Sequence, residues 1–413
     1  MEMTSITELN PPESQDGASR CLKPTQEERL RIGVVIPKGV GKGYSGPTVF
    51  LKRLVRPLLD RSDVTIYAGV QEGHQPDPNF IPPARSMDIG GTRGADQLLW
   101  ALRSAVWIVR DSAELDIVHF HGASFFNLLP ALACLGQGIP YVLVPLASRS
   151  EVVETGKLSK LPFVRPLRRL IVRRAAGAFA LGREIEEELT TLGLATERIH
   201  QIANPVTAGF FKSDTHQSDE DRALRVVFVG AMIERKRPEL ILEALAILRK
   251  EHGVTLYADF IGPFPSETHC DRFLELARTF GLSDHVTLVD YVEDVAPLLT
   301  SRRGIFVLPS KGEGLPGALT ESMAAGFPSV VTDVGAMGDT VRAAGSGEVV
   351  AASATAIADS VWSMVADAEV WESYAQNARS YARENFHEDA VATKYLHRLE
   401  EFMAGRSGKG IKK

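Results

Sequence analysis

Short apolar runs rich in β-branched residues alternate along this chain with longer segments of helical periodicity. Runs of this length without polar alternation are typical of parallel strands that are buried on both faces. Strands that alternate with helices form βαβ units, so the sequence predicts an α/β fold with two doubly wound parallel sheets of six strands each. The runs occupy residues 31–37, 63–69, 116–122, 140–146, 176–182 and 198–205, and then residues 224–230, 255–262, 285–292, 304–310, 329–335 and 347–351.

A polar, charged stretch at residues 212–223 separates the two series of runs and is typical of a linker. It divides the chain into an N-terminal domain at residues 30–211 and a C-terminal domain at residues 224–380. Residues 1–29 are polar with little to bury, and we expect them to form a disordered tail. We expect residues 381–413 to form a helix that returns to the N-terminal domain, followed by a tail. Because open parallel sheets bind ligands at the carboxyl ends of their strands, we expect the functional site in the cleft between the domains.

The composition limits the class of protein. The chain has 413 residues, 44% of them hydrophobic, and a formal net charge of −6, which argues against nucleic acid as the main partner. Its three cysteines, Cys21, Cys134 and Cys270, lie far apart and make a poor disulfide framework. The first residues contain no apolar segment of a signal peptide, and no apolar run reaches the length of about 18–20 residues that crosses a bilayer. These features predict a cytoplasmic protein.

The stretch at residues 304–333, GIFVLPSKGEGLPGALTESMAAGFPSVVTD, reads as a buried strand, a loop, a helix and a second buried strand. Pro316 suits the first turn of the helix and Gly326 suits its C-terminal cap. The free N–H groups at the start of this helix, together with its dipole, form an anion site. Glu313 lies at the mouth of the loop, and Glu321 follows eight residues later, near the same face. The alternative is a solvated helix with two surface glutamates.

These two glutamates, in the context PSKGEGLPGALTESMAAGFPSVVTDVG, closely resemble the donor-site motif of the retaining GT-B glycosyltransferases of family 4, also called glycosyl transferases group 1. The resemblance extends from Arg31 to about residue 400, and it implies two Rossmann-like domains that face each other across a cleft. It implies that Glu313 contacts the hydroxyls of the transferred sugar and that Glu321 holds the ribose. A carboxylate suits this role because its two oxygens accept hydrogen bonds from vicinal hydroxyls. The residues of the intervening loop that would also bind the donor are Gly314, Leu315, Pro316 and Gly317.

A basic loop follows the first strand of the C-terminal domain, in FVGAMIERKRPELILEAL at residues 228–245. In family 4 an arginine and a lysine in this segment clamp the diphosphate of the donor. Lys236 matches the lysine, whereas Ala231 stands where the family has its arginine, and Arg235 or Arg237 would have to substitute. Cations suit this place because they stabilise the charge that grows on the leaving diphosphate. We expect Arg235 and Lys236 to bind the donor; the alternative is a basic surface loop.

A glycine-rich loop follows the first strand of the chain, in GVGKGYSGPTVFLKRL at residues 39–54. It matches the dinucleotide-binding pattern formally, but it does not follow the strand directly and the next strand ends without an acidic residue. The loop takes the place of the glycine-rich loop that faces the donor phosphates in family 4. The resemblance therefore implies that Gly43, Ser45 and Gly46 contact the donor; the alternative is a plain strand–helix turn.

Two histidines project to one face of the strand at residues 116–122. His121 lies nearer the carboxyl end of the strand, where the family carries a histidine close to the transferred sugar, and we interpret His119 as structural. No third ligand has a usable spacing, so we expect no metal site. The single Asp-x-Asp pair, Asp219 and Asp221, lies in the linker.

A run of basic residues without any acidic one covers residues 157–174, interleaved with leucine, phenylalanine, valine and isoleucine. The run has three interpretations: a surface that touches anionic lipid, a solvated helix face, or part of an acceptor pocket. Its basic members are Lys157, Lys160, Arg165, Arg168, Arg169, Arg173 and Arg174.

Together these features predict a retaining glycosyltransferase that moves a hexose-type sugar from a UDP- or GDP-linked donor to an acceptor hydroxyl. The expected catalytic residues are His121, Lys236 and Glu313, without a cofactor or a metal. We expect a carbohydrate or lipid-linked acceptor in the synthesis of cell-envelope polysaccharide or glycolipid, and a cytoplasmic protein at the inner face of the membrane. The alternatives are another GT-B enzyme, such as a sugar-nucleotide epimerase, and a degenerate partner subunit, for which Ala231 is the only support.

Overall fold

The computed structural model describes residues 29–36, 46–70, 85–88, 94–145, 162–212 and 223–407. Within these residues the chain forms two parallel β-sheets with flanking helices, so the predicted α/β class is confirmed. Most of the predicted tail and of the predicted linker lies outside the described residues.

Among the described residues, the N-terminal sheet contains seven strands in the order β3-β2-β1-β4-β5-β6-β7. They are β1 (Arg31–Ile36), β2 (Asp63–Val70), β3 (Arg85–Asp88), β4 (Ile117–Phe120), β5 (Tyr141–Leu143), β6 (Gly177–Ala180) and β7 (Ile199–Gln201). The sequence predicts six strands here and misses β3, whose residues RSMD contain one apolar side chain. β3 lies at the edge of the sheet, where a strand has one neighbour and does not need the apolar run that marks a central strand.

The C-terminal sheet contains the six strands that the sequence predicts, in the order β10-β9-β8-β11-β12-β13. They are β8 (Arg225–Val229), β9 (Tyr257–Ile261), β10 (Val286–Val289), β11 (Gly304–Leu308), β12 (Ser329–Thr332) and β13 (Gly347–Val350). In both sheets the strand order changes direction beside a central strand, and a parallel sheet opens its ligand crevice at such a point.

The helices connect successive strands and cover the sheets. They are α1 (Gly46–Leu58), α2 (Gly94–Arg110), α3 (Phe125–Gln137), α4 (Val164–Arg174), α5 (Arg183–Thr191), α6 (Glu239–His252), α7 (Glu267–Thr279), α8 (Ala296–Thr300), α9 (Gly317–Ala325), α10 (Met337–Ala344), α11 (Ala354–Ala366), α12 (Ala368–Asn385) and α13 (Glu388–Ser407). Right-handed crossovers place α2, α3 and α4 side by side on one face of the N-terminal sheet, where α3 contacts both neighbours. The helix α1 lies on the opposite face, against α13.

Each sheet has its own hydrophobic core. The chain returns from the second domain to the first at Phe386–Glu388, where Val206 pairs with it through two backbone hydrogen bonds of 2.7 and 3.0 Å. After this crossing, α13 contributes buried side chains to the N-terminal core, so the last helix belongs to the first domain. These side chains are Val391, Ala392, Tyr395, Leu399 and Phe402.

A glycine-to-alanine change in β6 tests how tightly α13 packs on this sheet. A Cβ atom added at Gly177 would lie 2.1 Å from Cζ of Phe402, so the ring must move. We expect Gly177→Ala to lower the free energy of unfolding of the N-terminal domain by about 1–3 kcal/mol, measured by urea denaturation. Gly136→Ala in α3 is the control, because nothing lies within 4 Å of the added atom. We expect it to be neutral or stabilising by up to about 1 kcal/mol. Equal losses in both variants would contradict the packing of α13.

Candidate functional site

The helix α9 follows the loop after β11, where the sequence predicts it. Pro316 is its N-cap, with extended backbone angles of φ −70° and ψ 136°, and Gly326 is its C-cap in the left-handed region at φ 84°. The residues from Leu319 to Ala325 are buried, so the helix is fixed in the C-terminal core. The N–H groups of Leu319 and Thr320 donate to the carbonyl of Pro316, so those of Gly317 and Ala318 are the ones left for a ligand at the positive end of the dipole.

The carboxylate of Glu313 lies between two cations directly before this helix. Its Oε1 atom is 2.9 Å from Nζ of Lys236 and 2.8 Å from Nη1 of Arg235, and the hydroxyl of Ser310 donates to it at 3.1 Å. Burial alone would raise the pKa of the Glu313 carboxyl, but the positive charges of Lys236 and Arg235 outweigh it and hold the pKa below its ordinary value. Glu313 is therefore an ionised acceptor at neutral pH.

The two arginines beside Lys236 have different environments, which decides the choice that the sequence leaves open. Arg237 adopts a left-handed φ of 50° and donates to the carbonyls of Pro309 at 2.8 Å and Ser310 at 3.3 Å. Its guanidinium ties the loop after β8 to the end of β11. Arg235 is half-exposed and reaches Glu313, so Arg235, and not Arg237, places a second cation at the site.

The end of β8 positions the amine of Lys236. Gly230 has φ 142°, and a Cβ atom built on it would lie 3.1 Å from both Cε and Nζ of Lys236. This glycine is needed for its backbone conformation and for the close approach of the lysine. Ala231, where the family arginine is missing, is the next residue, so the local charge comes from Lys236 and Arg235.

The carboxylate of Glu321 is buried within α9 and is bonded from the other domain. Nη1 of Arg53, in α1, lies 2.6 Å from Oε1 of Glu321 and donates to the carbonyl of Pro205 at 3.2 Å. The side-chain amide of Asn204 donates to the carbonyl of Leu315 in the loop before α9. Sequence reasoning misses Arg53, because nothing in α1 distinguishes it from an ordinary basic residue of an amphipathic helix.

The two histidines at the end of β4, His119 in the strand and His121 directly after it, have different environments. Nδ1 of His119 is hydrogen-bonded to the hydroxyl of Tyr395 at 2.8 Å, which ties β4 to α13. His121 follows β4 and is buried, and within the described part of the chain neither of its ring nitrogens has a hydrogen-bond partner. Burial lowers the pKa of the His121 imidazole to about 4, so the ring is neutral at pH 7. The amide of Asn127 donates to the backbone carbonyl of His121 at 2.9 Å and fixes the turn.

Several predicted residues lie outside the described part of the chain. These are Gly43, Ser45, Lys157 and Lys160; Gly46 is the first residue of α1. Over the described ranges, no group of three histidine, cysteine, aspartate or glutamate side chains is arranged to hold a metal ion.

The basic run at residues 157–174 includes α4. The prediction that Arg168 belongs to its exposed basic surface is wrong. Arg168 is buried, with 3% of its surface exposed, because it lies on the same helical face as Val164, Ile171 and Val172, which pack inward. The opposite face of α4 is exposed and carries no acidic residue. It presents Phe163, Arg165, Arg169, Leu170, Arg173 and Arg174.

Comparisons with known proteins agree with this architecture. Residues 45–205 match the model of the glycosyl transferase 4-like domain, and residues 211–381 match that of the glycosyl transferases group 1. The chain is 27% identical to alpha-D-kanosaminyltransferase of Streptomyces kanamyceticus over 303 residues, which cover 70% of this chain and 77% of that protein. It is 28% identical to the capsular polysaccharide biosynthesis glycosyltransferase CapH of Staphylococcus aureus over 216 residues, covering 51% and 57%. The crystal structure of Anabaena Alr3699/HepE in complex with UDP has the same fold, with a TM-score of 0.70 at 15% identity, covering 90% of this chain and all of that one.

The buried neutral His121 makes stability depend on pH in acid. Its pKa is about 4 when folded and about 6.5 when unfolded, so the unfolded state binds the extra proton first. The stabilisation is complete above pH 6.5 and is lost as the pH falls to 4. We expect the His121→Gln variant to lose less stability over this window than wild type, by up to about 3 kcal/mol. Urea denaturation at closely spaced pH values measures both curves, and parallel curves would show that the imidazole is not buried neutral.

Proposed function

The chain belongs to the glycosyl transferases group 1 family and is a glycosyltransferase. We propose that it transfers a hexose-type sugar from a nucleoside diphosphate sugar to an acceptor hydroxyl, with retention of the anomeric configuration. One observation carries the proposal: an ionised carboxylate, Glu313, lies between Lys236 and Arg235 at the N-terminus of α9. The carboxylate can accept hydrogen bonds from sugar hydroxyls, and the neighbouring cations and N–H groups can bind a diphosphate. We place the reaction in polysaccharide or glycolipid synthesis.

The cations and the helix start would bind the donor diphosphate. As the glycosidic bond breaks, negative charge grows on the leaving phosphate, and fixed positive groups stabilise it without reorganisation. Lys236 and Arg235 would then exchange Glu313 for phosphate oxygens, and Glu313 would turn to the hydroxyls of the sugar. This binding needs no metal ion, and the donor nucleotide is UDP or GDP.

The acceptor would bind to the N-terminal domain, near His121. Its neutral ring offers one N–H donor and one nitrogen acceptor, which suits a hydroxyl of the transferred sugar or of the acceptor. In the mechanism that we infer, the oxygen of the acceptor hydroxyl attacks the anomeric carbon of the sugar from the same face that the diphosphate leaves. Its proton passes to a leaving phosphate oxygen, so no carboxylate nucleophile is required.

A nucleotide-release assay with a panel of UDP- and GDP-linked sugars and envelope extracts as acceptors tests this function. Acceptor-dependent release of the nucleotide, with the sugar recovered on the acceptor, is the expected result. Epimerised donor or free sugar epimer without transfer would identify the epimerase alternative. Binding without any turnover of the panel would favour the partner-subunit alternative.

The two glutamates should separate catalysis from nucleotide binding. We expect Glu313→Ala to lower kcat by about 10- to 100-fold or more with little change in nucleotide affinity, because its partner is the sugar. We expect Glu321→Ala to weaken nucleotide binding by about 10- to 100-fold, because its partner is the ribose. Glu234→Ala is the control, since Glu234 pairs with the exposed Lys311 beside the site and should leave both quantities unchanged. Equal effects of the first two changes on both quantities would contradict these roles.

We also propose that the layer formed by α2, α3 and α4 rests on an anionic membrane. The exposed face of α4 is basic, and α2 exposes five large apolar side chains along three turns, while α3 between them has few exposed side chains. A basic face beside an apolar one suits anionic headgroups and the acyl boundary. None of the described helices is long and apolar enough to cross a bilayer. The apolar side chains of α2 are Leu98, Leu99, Leu102, Val106 and Val109.

Co-sedimentation with vesicles tests this surface. We expect Arg165→Glu/Arg169→Glu to abolish binding to anionic vesicles at low salt, because each basic residue near the surface contributes about 1 kcal/mol. We expect Leu102→Ser/Val106→Ser to remove the part of the binding that survives high salt, since that part is apolar.

The matched control is Lys250→Glu/Arg272→Glu, which makes the same charge change on the other domain and should bind like wild type. Wild type that does not sediment with anionic vesicles at low salt would contradict the proposal. The basic face would then be solvated or part of an acceptor pocket.

A further inference from the structure

A buried ion pair connects the two domains at the carboxylate to which we assign the ribose. Nη1 of Arg53 lies 2.6 Å from Oε1 of Glu321, and the two residues stand 268 positions apart in the chain. Their side chains are only 17% and 11% exposed. An ion pair shielded in this way is screened little by salt and is costly to break on one side.

Two further contacts hold the guanidinium of Arg53 in place. The carbonyl of Pro205 accepts from the same nitrogen at 3.2 Å, and the ring of Phe210 lies 5.6 Å from the guanidinium carbon. Pro205 and Phe210 belong to the segment that leads out of the N-terminal domain. These contacts fix the position of the Arg53 guanidinium relative to Glu321.

Another ion pair between the domains has a different character. Arg183, at the start of α5, lies 2.9 Å from Asp339 in α10, but the two side chains are 70% and 47% exposed. A pair in this environment contributes little, about 0–1 kcal/mol. It has no contact with the carboxylates assigned to the donor, so it offers a matched control for Arg53.

We propose that Arg53 is a positioning residue for the ribose of the donor, an inference that rests on the proposed function. Arg53 binds one carboxylate oxygen of Glu321, and among the described residues nothing bonds the other, Oε2. The arginine thus neutralises the buried charge and orients the carboxylate while it leaves an oxygen for a ribose hydroxyl. Because Arg53 and Glu321 belong to different domains, the ribose site is complete only when the domains are closed.

The test compares a nucleotide that has ribose hydroxyls with one that lacks them. Isothermal titration calorimetry on the full chain gives Kd for UDP and for 2′,3′-dideoxy-UDP, or for the GDP pair if wild type prefers guanine. We expect wild type to favour the hydroxylated nucleotide by about 10- to 100-fold, the effect of one hydrogen bond to a charged group. In Arg53→Met this preference should fall to about threefold or less, and in Arg53→Lys it should be intermediate. Arg183→Met should keep the preference of wild type.

Each other outcome overturns the inference in a recognisable way. An Arg53→Met protein that binds both nucleotides more weakly with an unchanged preference would make Arg53 a plain bridge between the domains. Tighter binding of UDP in that variant would mean that Arg53 competes with the ribose for Glu321. If wild type binds neither UDP nor GDP, the donor site itself fails, and the proposed function falls together with this inference. Circular dichroism of Arg53→Lys and Arg53→Met checks that both variants are folded.

Discussion

The contact between Glu313 and its two cations organises the cleft. A buried carboxylate is costly unless it is paired and hydrogen-bonded, and here Lys236, Arg235 and Ser310 supply the partners. The same contact ties the loop after β8 to the loop before α9, so the start of α9 has a fixed position relative to the end of β8. The charged groups of this site are therefore held in place by one another.

The N-terminal domain contributes to the site through long-range contacts. Arg53 reaches Glu321 from α1, and His121 stands at the end of β4 with both ring nitrogens unpaired within the described residues. The final helix α13 packs on the first domain and bonds His119 through Tyr395, so the chain crosses the cleft twice. These links join the carboxylate of Glu321 in the C-terminal domain to α1 of the N-terminal domain, and they anchor α13 on the N-terminal sheet.

Much of this could be predicted from the sequence, because the relevant signals are local. The buried strands follow from the apolar runs. The two ends of α9 follow from Pro316 and Gly326, each of which affects only the few residues around it. The edge strand β3 lacks such a run, and the burial of Arg168 depends on which face of α4 packs inward. The pairing of Arg53 with Glu321, and the different partners of Arg235 and Arg237, depend on tertiary distances that spacing along the chain does not contain.

Calorimetric titration of wild type with UDP and GDP, with EDTA present, tests whether Lys236, Arg235 and the start of α9 bind a nucleoside diphosphate without metal. We expect one nucleotide to bind without a divalent metal, with millimolar or tighter Kd. We expect Lys236→Met and Arg235→Met each to weaken that binding about tenfold or more, which is the effect of losing a charge-assisted bond to phosphate. Heat that appears only when magnesium replaces EDTA, or affinity that is unchanged in both variants, would contradict a diphosphate site built from these two cations and the start of α9.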